Sequence, residues 1–193
     1  MKALSSLPEK YSEYFSVDLQ KNKKQMIFVN LLSFLIAVLM FIPMCFIVPF
    51  EIEITSEALI GLLIKLLAIF ILLVVYIVLH ELVHGIAMKI CGAKKVKYGF
   101  TGLYAFAGSD DYYDKRSYIF IALAPVVLWG IVLAVVNIFV PRSWFWIIYF
   151  IQIQNISGAA GDFYVTVRFL RFPKNILVHD SGTSMKVYAE TEK

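Results

Sequence analysis

Residues 58–90 read ALIGLLIKLLAIFILLVVYIVLHELVHGIAMKI, a run that is apolar through Leu79 except for Lys65. Built as a helix, it would reach about 50 Å, against a bilayer hydrocarbon core of about 30 Å. Thr55 or Ser56 can cap its start, with Glu57 in the first turn. Gly92 and the lysines that follow stop it. The surplus turns therefore lie at the C-terminal end, and they contain His80, Glu81 and His84.

The rest of the chain agrees with a membrane setting. Of its 193 residues, 60% are hydrophobic and only 17% charged, with a mean hydropathy of +0.76. Soluble domains average about 45–50% apolar and about 25% charged. That balance excludes a disordered chain and a disulfide-rich secreted module. Three further stretches have the length and apolarity of spans: 27–49, 119–140 and 144–170. None reads as a cleavable signal peptide.

The net charge of +4 and pI near 9.0 invite a nucleic-acid reading until the basic residues are placed. Lys2, Lys10, Lys21, Lys23 and Lys24 precede the first span, and Lys94, Lys95, Lys97, Lys115 and Arg116 fall between the second and third. Arg168, Arg171, Lys174, Lys186 and Lys193 lie at the C-terminal end, whereas the first loop carries three glutamates and no base. Basic residues favour the cytoplasmic side. The expectation is thus an all-α membrane protein with four transmembrane helices and both termini cytoplasmic, multi-pass in a bacterial inner or plasma membrane. Nucleic acid is not needed to explain the charge.

Between the second and third spans, residues 96–108 (VKYGFTGLYAFAG) are aromatic, rich in glycine and partly alternating. That pattern predicts a short β-strand or re-entrant segment. Three aspartates, Asp110, Asp111 and Asp114, read as a solvated loop beside Lys115 and Arg116. The division is a cytoplasmic segment 1–26, a four-helix membrane unit 27–170 and a short cytoplasmic tail 171–193. In the tail, His179 and Asp180 read as a solvent-facing polar turn of a small hairpin.

The chemistry concentrates at residues 80–84, His-Glu-Leu-Val-His. On a helix, His80 and His84 share one face and two imidazoles can bind one cation. Glu81 is rotated from them by about 100°, so it can reach a water beside the cation without being a ligand. This is the metalloprotease arrangement, in which zinc acidifies a water and the glutamate takes its proton. The bland alternative is a pair of satisfied interfacial histidines with Glu81 reaching to water.

A catalytic zinc has three protein ligands. The best third candidate is Asp162, which follows the small residues Ser157-Gly158-Ala159-Ala160-Gly161 and lies close to a membrane span. It can equally cap a helix or pair with Arg168. Counted along straight helices from the outer face, Asp162 is about 27 Å deep and His80 and His84 about 33 and 39 Å. The mismatch is one to two turns, unless tilt or a break near Gly158 and Gly161 absorbs it. Cys45 and Cys91 fall at opposite membrane faces and form no framework; Cys91 reads as packing. Pro125 predicts a kink that leaves room near the site.

These motifs carry a resemblance. His-Glu-Leu-Val-His-Gly late in a membrane helix, a glycine-rich strand segment, and Asn155 and Asp162 in a later helix resemble the site-2 protease type of intramembrane metallopeptidase. More narrowly, the chain is similar to a bacterial family of small membrane zincins. That pattern appears here as residues 80–85, Leu123-Ala124-Pro125, Gly158 to Asp162, and Val178-His179-Asp180-Ser181-Gly182. It covers most of the chain from about residue 60 onward. The resemblance implies Zn²⁺ on His80, His84 and Asp162, with Glu81 as general base. Against the site-2 pattern of Asn, Pro and Leu-Asp-Gly, this chain has Gly158 in place of proline, and no glycine follows Asp162.

The resulting expectation is a membrane-embedded zinc metalloendopeptidase that hydrolyses a membrane-associated polypeptide near the cytoplasmic face. The other expectation is a non-catalytic metal-binding or partner-binding membrane protein. A closed four-ligand site completed by His179 or Cys91 would mark that second case.

Overall fold

The computed structural model describes residues 3–18, 21–49, 56–102 and 104–190. The acidic first loop, including Thr55, and Lys2, Leu103 and Lys193 lie outside the described residues. In chain order the elements are β1 (Tyr11–Val17), α1 (Lys23–Ile47), α2 (Ser56–Ile90), β2 (Lys97–Phe100), β3 (Ala105–Gly108), β4 (Tyr112–Asp114), α3 (Lys115–Phe139), α4 (Arg142–Gly158), α5 (Ala160–Leu170), β5 (Ile176–Asp180) and β6 (Met185–Glu190).

Three helices are long and apolar enough to cross a membrane: α1, α2 and α3. Only 6% of the most apolar stretch of α1, and of α2, is buried within the molecule. Leu35, Leu63, Phe70 and Ile131 all lie exposed, as they would against lipid. The expected fourth span is divided. It runs as α4, breaks at Ala159 (φ −82°, ψ 16°), and resumes as α5. Three helices rather than four therefore reach crossing length on their own among the described residues.

Helix boundaries follow local chemistry. The Asn22 side chain accepts from the Gln25 N–H to cap α1. That helix ends at Val48, the residue before Pro49, where proline disfavours helical backbone. Asp114 caps α3 by accepting from the Arg116 and Ser117 amides at 2.9 and 3.0 Å. The aspartate loop is thus a correction to the solvated-loop expectation. Asp114 is a cap, and Asp111 is buried, accepting from the Lys94 N–H at 2.8 Å and from Ser109 Oγ. Only Asp110 is the exposed acid expected, paired with Lys97.

The all-α expectation needs a second correction, because two sheets are present. β2 and β3 form the antiparallel hairpin that the 96–108 pattern predicts. A four-stranded antiparallel sheet runs β1-β6-β5-β4, joining the N-terminal strand to the tail hairpin. The β5–β6 hairpin is the one expected in the tail, whereas its pairing with β1 and β4 was not legible because those strands are short and distant in sequence.

The densest core lies where this sheet meets the helices, at one end of the bundle. Met88 and Cys91 from the end of α2, Ile121 from α3, Phe169 from α5, and Val178 and Val187 from the sheet pack there with Tyr113. One face of the last turns of α2, carrying Ala87 and Met88, is therefore packed in protein, while Ile86 and Ile90 stay exposed.

Candidate metal centre

His80 and His84 stand one turn apart on α2, with ring centroids 4.9 Å apart and planes at 75°. Asp162, in the first turn of α5, reaches both: its Oδ2 is 3.9 Å from His80 Nε2 and its Oδ1 is 3.8 Å from His84 Nε2. One donor atom from each of the three residues falls within 4.8 Å of the others. The chain breaks at Ala159 between α4 and α5, and Asp162 stands in the first turn of the new helix. Phe163 N–H closes the first bond of that helix onto the Ala159 carbonyl at 3.0 Å.

The far side of each imidazole is engaged. The Asn155 Nδ2 donates to the Val126 carbonyl at 3.1 Å, which turns its Oδ1 toward Tyr76. The Tyr76 hydroxyl donates to that Oδ1 at 2.9 Å. With its one proton committed, Tyr76 can only accept from His80 Nδ1, 2.7 Å away. His84 Nδ1 lies 2.9 Å from the Ile121 carbonyl, which can only accept. Both histidines therefore carry a proton on Nδ1, and in the neutral ring the lone pair is on Nε2, the atom that faces Asp162. Two imidazole nitrogens and one carboxylate form a donor set that fits zinc. Asn155 is fully buried, so its amide has no competing water.

Glu81 lies beside this group. It follows His80 on α2 and faces the same cleft as Ala107 of β3. The four residues line an open cleft of about 650 Å³, together with Tyr118 and Gln154. The histidine side chains are each 12% exposed and that of Asp162 is 27% exposed. The trio is thus sheltered but reachable from the cleft.

The other candidates stay apart. The Cys91 thiol contacts the Ser117 carbonyl and packs in the core, and burial pushes its pKa up. His179 stacks on Tyr112, with centroids 5.2 Å apart. Neither belongs to the three-residue group. Arg168 lies over the Phe15 ring, so Asp162 is left to the histidines.

One site residue departs from the polar-turn expectation. Asp180, at the end of β5, lines the same cleft. It accepts from the Tyr118 hydroxyl and from the Gly182 N–H. Burial holds its pKa above the usual carboxylate range. The turn it begins is seated on β3: the Ser109 N–H donates to the Asp180 carbonyl at 2.7 Å. A Cβ at Gly108 would stand 2.3 Å from the Ser181 carbonyl carbon, so the close approach requires glycine there. Gly182, at φ +88°, completes the turn. Nothing in the polar sequence of the turn signals this placement, which depends on contacts with α3 and with the end of β3. Tyr76 was also missed, because a tyrosine in an apolar run reads as packing.

A helix of membrane-crossing length that ends in a two-histidine, one-carboxylate group with a glutamate beside it has the make-up of a membrane zincin. The comparisons agree: the family described as "Putative zincin peptidase" matches residues 72–177, and the chain belongs to that family. The chain is also 31% identical over 123 residues to the "Uncharacterized 24.7 kDa protein in gap 5'region" of Pyrococcus woesei. That match covers 61% of this chain and 53% of the relative, so the chain spans about half the length of the curated relative it matches. No solved structure matches the chain.

Proposed function

We propose that this protein is a membrane-embedded zinc metalloendopeptidase of site-2-protease type, cutting a membrane-associated polypeptide near the cytoplasmic face. The observation that carries the reading is the convergence of His80 Nε2, His84 Nε2 and the Asp162 carboxylate at an open cleft, with both Nδ1 atoms engaged elsewhere. His80, His84 and Asp162 would hold the zinc. Zinc in such a site supplies Lewis-acid stabilisation to the negative charge that develops on a peptide carbonyl oxygen.

In this reading Glu81 is the general base. It takes the proton of the attacking water and delivers it to the leaving amine. No fourth protein ligand joins the group among the described residues, which supports a catalytic site over a closed structural one.

The β2–β3 hairpin gives the substrate a place to lie. It pairs with no third strand among the described residues. Ala105, Phe106 and Ala107 of β3 line the cleft beside Glu81. An unwound substrate segment adding there would run past Glu81. The α4–α5 pair serves as the fourth crossing, with both termini cytoplasmic, and the substrate is a membrane protein or peptide.

The test is proteomic. Membranes of the expression host are incubated with the purified zinc-loaded protein, and new peptide termini are read by mass spectrometry. Wild-type protein yields new termini in membrane-associated segments, and Glu81→Gln yields none. Equal cleavage by the two proteins contradicts the reading.

A further inference from the structure

An α-helical carbonyl accepts from the N–H four residues further on, and a proline at that position has none to give. Pro125 stands inside α3, so the Ile121 carbonyl lacks its helical donor. Ile121 is 1% exposed, and bulk water does not reach it in compensation. The group that fills the vacancy in the ladder is the His84 imidazole, whose Nδ1 is 2.9 Å from that oxygen.

We infer that Pro125 is a positioning residue for the metal centre: by withholding its amide it leaves the Ile121 carbonyl free to hold His84 in one ring orientation and one tautomer, with Nε2 turned to Asp162. The inference rests on the zinc reading of the His80, His84 and Asp162 group. The histidine pair is then anchored from both sides of one proline. His84 bonds the Ile121 carbonyl directly, and His80 reaches the Val126 carbonyl through Tyr76 and Asn155. Because the anchor of His84 is a backbone atom in a packed helix, it cannot swing away as a side-chain partner can. The lesser reading, in which the buried Pro125 merely bends or fills α3, makes a different prediction.

The test uses the full chain in detergent. Pro125→Ala restores an amide that competes for the Ile121 carbonyl. Zinc affinity, read by chelator competition, then falls about 10–100-fold, the range seen when a ligand's outer partner is lost. The thermal midpoint of the metal-free protein stays level or rises, because the helix regains a bond. In ¹⁵N-histidine NMR of the metal-free wild type, at a pH where the imidazoles are neutral, His84 carries its proton on Nδ1, and in Pro125→Ala that preference weakens. Unchanged zinc affinity in the variant overturns the inference, with or without a lower midpoint. A wild-type His84 protonated on Nε2 overturns it without any variant, which covers a variant that does not fold. A wild type that binds no zinc contradicts the proposed function instead, and the NMR result still decides whether Pro125 governs the tautomer.

Discussion

Asp162 Oδ1 lies 3.8 Å from His84 Nε2, although the two residues sit on helices whose straight continuation would separate them by one to two turns. Asp162 stands in the first turn of α5, just past the break at Ala159. Ala159 and Ala160 are almost fully buried, and a run of small residues allows that degree of close packing. The same stretch therefore interrupts a membrane-type helix and delivers an acid to a histidine pair.

Tyr76 ties His80 to Asn155 through a hydroxyl with a single proton. Tyr76→Phe removes that link and little volume. Zinc affinity is expected to fall about 10–100-fold, measured by chelator competition. In a double-mutant cycle with Asn155→Leu, the second change adds little to the first, because both act through one chain of bonds.

Gly108 faces the Ser181 and Gly182 backbone, and a Cβ there would meet main-chain atoms at 2.3–2.5 Å. Main chain yields less readily than the end of a side chain. Gly108→Ala is expected to cost about 1–3 kcal/mol of stability, the usual penalty of overpacking, read as a lowered thermal midpoint. Zinc affinity falls much less than in Tyr76→Phe, because the turn carries no ligand.

Burial raises the Asp180 pKa above its value in the unfolded chain. The folded state then binds the proton more tightly, so stability falls as pH rises from about 4 through the folded pKa. Asp180→Asn keeps the shape and removes the titration. Midpoints of metal-free protein measured across that range should decline in the wild type and flatten in the variant. A parallel decline in both would locate the pH dependence elsewhere.

The helical frame and the histidine pair were legible because each depends on a local pattern: an apolar run for α1, α2 and α3, and spacing of four for His80 and His84. The hairpin β2–β3 was legible for the same reason, from glycine and aromatic alternation. What could not be read depends on contacts between distant residues. Tyr76 gains its role from Asn155 in another helix, and Asp180 is held at the cleft by Tyr118 of α3 and by the Ser109 amide that follows β3. Asp111 and Asp114 looked like surface charge, yet the first is buried against the Lys94 amide and the second is a helix cap. Pro125 was read correctly as a special position in α3, but as a source of room. The bond it leaves open at Ile121 requires knowing which imidazole lies opposite.

The central claim is that His80, His84 and Asp162 hold one zinc ion together, and metal analysis of membrane-purified protein tests it most directly. Wild-type protein is expected to retain about one zinc per chain, as catalytic zinc sites do. Asp162→Ala and His84→Ala, folded by the same spectroscopic criteria, are expected to retain almost none after dialysis against a mild chelator. Full zinc retention by Asp162→Ala would contradict the account.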